Sequence, residues 1–514
     1  MIDEKMLEPI FSACKMVNNQ ILNQYNEDEY KLTFVDHYMF QNSSYLLSII
    51  NRYLYGHRNK SVSTFFLFRC VIENIAVLEM NEAGDIPKDC EELLKDYNYL
   101  IEYDIYKKHQ ELHGVSFDFE DVKKNYENTK EKYKDSIPDK SGRDFKDLLR
   151  SKLPWLKQEY KFEELISTYC ENLLDYYKYF SFVIHPNEIS MLEFTIDKQD
   201  LDGLFVAISS YFMKIFAKYY SKGHYLKPNE NIYFEKKFIA ENPLNVEYMR
   251  YVLVQCDCLE KIGKLILEYF PKDTNSLYYL EYKSIVYDMA LDKTFGYNEC
   301  VKSLVKPFLE LAVMHDYLIM STIKPEDEYK QTLLSAYSHI NYNKFFNYPM
   351  DESYDVGYKL YCEKIKNVTK EEFDKEFVIG LGFLNPKISI NKFVMSFADK
   401  LFNEKVPGYE LQRATMKINY DESQALSHAN GYMISANSGS FGDFLPVITE
   451  TDFVIEYLTK KYITKAKLLV ELNGDKKYNK LVYDLKKELK LYKQASHCRT
   501  DMDMLLKDEK VNNM

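Results

Sequence analysis

Glycine and proline are both scarce in this chain, 16 and 14 of 514 residues. A sandwich or barrel draws on those residues for its many tight turns, so their scarcity disfavours an all-β architecture. Arginine is scarcer still, eight residues against 59 lysines, and an arginine inside an apolar segment is therefore a stronger signal than usual. Tryptophan occurs once, at Trp155. The nine cysteines form no framework: Cys256 and Cys258 are the only close pair, and no second pair completes a zinc site. No metal and no cofactor is expected, and reduced thiols fit a cytoplasmic location. Long apolar runs are missing as well. The best candidate for a membrane span, Val62 to Met80, carries Arg69, Glu73, Asn74 and Glu79, so no membrane association is expected. The opening Met1-Ile-Asp-Glu-Lys5 has no basic region leading into an apolar stretch, and no secretory signal is read there. Positive charge is also in deficit. A net charge of −12 argues against a protein that coats nucleic acid or anionic membrane, although it leaves room for a local basic groove.

What is present is the composition of an ordinary globular protein, 46% hydrophobic and 28% charged. The length exceeds what one hydrophobic core normally serves, so two or more domains are expected. The 46 tyrosines and 32 phenylalanines are rings for helix–helix seams. Helical periodicity recurs nearly everywhere, and the fold class predicted is all-α. Ser141-Gly-Arg-Asp144, Thr369-Lys-Glu-Glu372 and Thr449-Glu-Thr-Asp452 each read as a capping box, and Pro325 followed by Glu326 and Asp327 as a helix first turn. Lys123 to Asp135 reads as a charged, tyrosine-studded helix or linker with a solvated face. Periodicity breaks between Ser221 and Asn245, at Gly223, Pro228 and Pro243. That break divides the chain into an N-terminal helical domain, 1–228, and a C-terminal one, 229–465. From 466 to 514 a Lys-rich helix, running from about Lys467 to Gln494, leads into a disordered tail.

The two sides of the break resemble each other, as two tandem, diverged helical-bundle units would. The apolar segment Phe65 to Glu73 has the shape of Tyr279 to Tyr287, with Lys283 where the first has Arg69 and Tyr287 where it has Glu73. Ser141-Gly-Arg-Asp-Phe145 is matched by Ser389-Ile-Asn-Lys-Phe393, and Ser181-Phe-Val-Ile-His185-Pro-Asn187 by Gln424-Ala-Leu-Ser-His428-Ala-Asn430.

Arg69 and Glu73 share one helical face, as do Ser181 and His185, because residues four apart are neighbours on a helix. If the two helices pack together, Arg, Glu, Ser and His converge on one polar spot in an apolar bundle. Such a spot could act chemically, with His185 as general acid or base and Arg69 neutralising a phosphate. It could equally fix how two helices pack, since a buried charge must be paired and a histidine in a last turn is favoured by the helix dipole.

The pattern Arg69-x3-Glu73, then Ser141-Gly-Arg143, then Tyr179-Phe-Ser181-x3-His185-Pro-Asn resembles a bacterial helical family known only as a domain of unknown function. That family is itself distantly similar to HEPN domains, many of which are ribonucleases in toxin–antitoxin and antiphage systems. The resemblance covers about Ser43 to Tyr220. It implies that Arg69, Glu73, Ser181 and His185 are the site residues. In the second half only His428 and Asn430 persist, with Lys283 for the arginine, which implies a copy that has lost any activity. Arg52-Tyr-Leu-Tyr-Gly-His57 meets the HEPN spacing of arginine and histidine but has Tyr53 where a polar residue is usual, and it reads as the end of a surface helix.

Other signals are weaker. His109-Gln-Glu-Leu-His113 puts two histidines four apart, but its glutamate is misplaced for a metalloprotease and no third ligand is evident. Gly380-Leu-Gly382 and Ser438-Gly-Ser-Phe-Gly442 follow no strand and precede no phosphate-loop lysine, so nucleotide binding has no support. Two functions are therefore expected to compete. One is a helical binding, scaffold or sensor protein with a protein partner or self-association. The other is a metal-independent ribonuclease acting on RNA, in which Arg69 stabilises the phosphorane charge and His185 moves the proton. Exposure separates them: a solvent-reached cleft at Arg69 and His185 favours the enzyme, a sealed core the scaffold.

Overall fold

The computed structural model describes residues 4–27, 33–55, 61–113, 120–136, 142–156, 162–184, 199–221, 243–270, 276–319, 329–345, 348–376, 390–403, 409–426 and 445–512. These are helical almost throughout, with no strand among the described residues. The first half contains α1 (Glu4–Glu27), α2 (Phe34–Tyr55), α3 (Val62–Ala83), α4 (Cys90–His113), α5 (Glu120–Tyr133), α6 (Gly142–Lys152), α7 (Phe162–Tyr169), α8 (Leu174–Val183) and α9 (Gln199–Ser221). The second opens with α10 (Pro243–Tyr269), α11 (Ser276–Phe295), α12 (Asn298–Ser303), α13 (Val305–Ile319), α14 (Tyr329–Phe345) and α15 (Glu352–Lys364). It continues through α16 (Lys370–Glu376), α17 (Ile390–Leu401), α18 (Tyr409–Leu426), α19 (Leu445–Asn473) and α20 (Lys477–Asn512).

Two helices make the centre. In α3 every residue from Val62 to Leu78 is buried, and in α13 every residue from Val305 to Asp316. Both are apolar on most sides and so offer no solvent face, and the few polar side chains they carry are enclosed with them. Their neighbours wrap them: α2, α7, α8 and α9 pack on α3, and α17, α18 and α19 on α13. The aromatic side chains fill these seams as expected, with Phe68 stacked on Phe180 at 5.6 Å and Trp155 edge-on to Phe34 at 5.2 Å. One continuous hydrophobic cluster reaches from Leu7 to Tyr492, so the two sides of the sequence break share a core.

Local signals set the helix ends. Thr369 and Glu372 form a reciprocal capping box, the Glu372 carboxylate accepting from Thr369 N at 2.9 Å and the Thr369 hydroxyl from Glu372 N at 3.2 Å. Pro243 stands at the first position of α10, where its missing N–H costs nothing. Thr449-Glu-Thr-Asp452 is no cap: α19 starts earlier, at Leu445, and Asp452 lies within it. The Lys-rich C-terminal segment is divided by Gly474, whose φ of 65° is the left-handed conformation that ends a helix. From Lys477 the chain folds back as α20 between α10 and α19 and stays helical to Asn512. Ser141, Pro325, Gly380, Gly382 and Ser438 to Gly442 lie outside the described residues, as do the side chains of His109 and His113. No helix among the described residues is long and apolar enough to cross a membrane.

Candidate functional site

The i, i+4 spacing on α3 does bring Arg69 and Glu73 together, Nε to Oε1 at 3.1 Å. α8 crosses α3 at this point. Its Tyr177 hydroxyl donates to the same Glu73 oxygen at 3.2 Å, while its ring lies 5.7 Å beneath the guanidinium. Burial works against the Arg69 charge, but the Glu73 carboxylate and Tyr177 outweigh it and hold the guanidinium firmly protonated. Burial and Glu73 together push the Tyr177 phenol up to about 12. Ser181 follows one turn after Tyr177 and is half-buried. The cluster has little access to solvent: Arg69 is 8% exposed and Glu73 0%.

A second cluster adjoins it. On α13, Lys306 and Glu310 repeat the cation-x3-glutamate spacing, and Tyr420 of α18 donates to Glu310 Oε1 at 3.2 Å. Burial lowers the Lys306 pKa, with Glu310 opposing; Arg69 and Glu73 are near enough to act on the same ammonium, in opposite directions. Ser423, three residues after Tyr420, accepts from Lys306 N at 2.8 Å and donates to Ser303 O at 2.9 Å, tying α18 to the start of α13. This cluster was legible in the sequence. Tyr420-x3-Gln424-x3-His428 has the same spacing as Tyr177-x3-Ser181-x3-His185.

Lys283, by contrast, turns away from both clusters and pairs with Glu260 of α10 at 2.5 Å. Its helix, α11, is not the enclosed one; α13 is. His185, His428, Asn430 and His57 lie outside the described residues. Arg52 does not close a surface helix. It is 4% exposed and pairs with Asp292 at 3.0 Å and Asp288 at 3.4 Å, both on α11. Burial disfavours its charge and the two carboxylates more than restore it. Beside this pair Ser63 bonds to Asp288, and Glu281 accepts from Val62 N at 3.2 Å, at the positive end of α3. Burial pushes the Glu281 carboxyl up to about 8 and Asp292 up to about 6, the latter against the pull of Arg52.

Two further buried groups carry no sequence signature. His315 of α13 sits with Nδ1 3.0 Å from the Tyr282 hydroxyl and Nε2 3.0 Å from that of Tyr462, stacked on Tyr278 at 4.6 Å. Burial holds it neutral at ordinary pH, so one ring nitrogen donates and the other accepts. Asp452 of α19 accepts from Gln255 at 3.0 Å, Tyr492 at 2.6 Å, Arg499 at 2.6 Å and Ser496, joining α10, α19 and α20. Cys256 and Cys258 are buried and reduced, and burial pushes them up to about 12 and about 11. No group of three or more His, Cys, Asp or Glu that could hold a metal occurs among the described residues.

No family model, curated protein or solved structure matches the chain.

Proposed function

We propose that the chain is a helical scaffold built from two diverged copies of one unit, its polar clusters serving to lock the packing and its surface serving a protein partner or a second copy. The order α1, α2, α3, α4, α5, α6, α8, α9 is met again as α10, α11, α13, α14, α15, α17, α18, α19. The cross-contacts exchange in the way a two-fold would require. α4 packs on α18, and α14, which would correspond to α4, packs on α8, with Phe182 and Tyr342 edge-on at 5.5 Å. In this reading Arg69–Glu73–Tyr177 corresponds to Lys306–Glu310–Tyr420, and Lys283 has no site role. A place in antiphage defence rests on the family resemblance alone.

The enclosure of Arg69 and Glu73 carries the reading. An arginine that is to meet a phosphate needs donors facing solvent, whereas this one is enclosed, its Nε paired with the Glu73 carboxylate and its guanidinium over the Tyr177 ring. The test is induced expression of wild type, Arg69→Ala and His185→Ala in a bacterial host, with total RNA integrity and growth followed. Intact RNA and equal growth for all three, with Arg69→Ala alone less stable, is the expected result. RNA breakdown by wild type that His185→Ala abolishes would replace the scaffold with a metal-independent ribonuclease.

A further inference from the structure

The outer face of α20 inverts the charge of the molecule. From Lys476 to Gln494 the side chains turned to solvent are Lys476, Lys477 (paired with Asp475), Asn479, Lys480, Tyr483, Lys486, Lys487, Lys490, Lys493 and Gln494, with Leu491 at the margin. The two acids in this stretch are withdrawn: Asp484 is half-buried, and Glu488 is buried toward Lys261 of α10. Many exposed lysines elsewhere meet carboxylates, as Lys264 does with Glu260, Lys370 with Asp355 and Lys460 with Glu456, while others such as Lys124, Lys359 and Lys467 stand scattered along the chain. Among the described residues Lys480, Lys486, Lys487 and Lys490 have no such partner. Four unpaired ammoniums within about 15 Å of helix repel one another unless an anion comes between them. In a chain of net charge −12, such a row marks a local preference for a polyanion.

Tyr483 decides which polyanion. It is 69% exposed, the most open large apolar side chain described, and it stands one turn from Lys480 on one side and from Lys486 and Lys487 on the other. A bare ring among lysines offers a face for a nucleobase while the ammoniums take the phosphates. An anionic membrane would call for an apolar helix side to insert, but that side of α20 is already used: Leu481, Leu485, Leu489 and Tyr492 are buried against the body. We propose that the outer face of α20 binds a single strand of nucleic acid, with Lys480, Lys486, Lys487 and Lys490 on successive phosphates and Tyr483 stacked on a base. α20 packs chiefly on α10 and α19, and the Arg69 cluster lies on α3 and α8, so binding here is independent of the scaffold reading.

Fluorescence anisotropy of the full chain with labelled RNA and DNA 20-mers of one mixed sequence tests this. Both strands should bind at 50 mM salt, RNA more tightly if the 2′-hydroxyl is also read. Four phosphate contacts at a salt slope of about 0.7 each give roughly 50-fold weaker binding at 200 mM. Reversal of all four lysines to glutamate should abolish binding, with the melting temperature close to wild type because none of the four is paired. Tyr483→Ala should weaken binding about 5-fold or more and leave the salt slope unchanged. No binding at 50 mM salt, equal binding by the fourfold variant, or binding to vesicles of 30% phosphatidylserine in place of the strands would each overturn the proposal.

Discussion

At the scale of single residues, the buried pairs differ in what their removal costs. Arg69→Ala leaves Glu73 in the core without its cation, and a buried pair broken from one side destabilises by about 3–5 kcal/mol. Arg69→Met with Glu73→Leu removes both charges and keeps the volume, so the double variant should melt well above Arg69→Ala. Chemical denaturation of the three proteins checks the order. A double variant no more stable than Arg69→Ala would mean that the pair does more than satisfy itself. Glu281 behaves differently because its carboxyl is raised to about 8. The folded state holds its proton where the unfolded chain releases it, so its contribution is complete below the ordinary glutamate pKa and is lost as pH rises through about 8. Glu281→Gln mimics the protonated form and keeps an acceptor for Val62 N. The variant should therefore exceed wild type most at pH 8.5, with the margin narrowing steadily as the pH falls toward 6.5. Melting temperatures across that window measure it, and a margin independent of pH would show that Glu281 is ionised in the fold. Below pH 6.5 both proteins lose stability together, because burial lowers His37 to about 4 and also lowers His315, and both then oppose folding.

At the scale of the element, α20 depends on one side chain of another helix. Asp452 accepts from Tyr492, Ser496 and Arg499, and Arg499 is 1% exposed. Asp452→Ala strands that guanidinium, so the second half of α20 should lift from α10 and α19 before the rest unfolds. Hydrogen exchange would then quicken in α20 by an order of magnitude or more while α3 keeps wild-type protection. Unchanged exchange in α20 would show that its apolar face suffices. That apolar face was legible: Leu481, Leu485, Leu489 and Tyr492 recur at helical spacing, which is why a helix was expected here. The hub was not, because Asp452 sits in a segment that looks like a cap, and only the packing of α20 shows what the carboxylate meets. The same limit explains the Lys283 assignment. Shape and order along the chain pair α11 with α3, whereas the proposed two-copy reading pairs α13 with it because both are buried on every side, and burial is a property of the assembled bundle. Arg52 reads as a surface helix end for a like reason, its partners Asp288 and Asp292 lying far along the chain on α11.

At the scale of the whole molecule, 514 residues and a break near Ser221 suggest two domains, yet the hydrophobic cluster passes without interruption from α1 to α20. Links across the middle are buried and polar as well as apolar. Arg52 meets Asp288 and Asp292, the Tyr45 hydroxyl donates to Leu426 O at 3.2 Å, and Tyr106 donates to Glu422 at 3.3 Å. Separate domains would meet through a smaller, wetter surface and could melt one after the other. Here neither half can unfold without exposing the face of α2, α3, α11 and α13 that the other half covers, so calorimetry should show a single cooperative transition. Arg52→Ala leaves Asp288 and Asp292, neighbours one turn apart on α11, buried in that face without their guanidinium, and should lower the stability by roughly 3 kcal/mol. Because the apolar contacts remain, the transition should move down in temperature and stay single. Two resolved transitions in wild type would restore the two-domain division, and two in Arg52→Ala alone would make this one ion pair the source of the cooperativity.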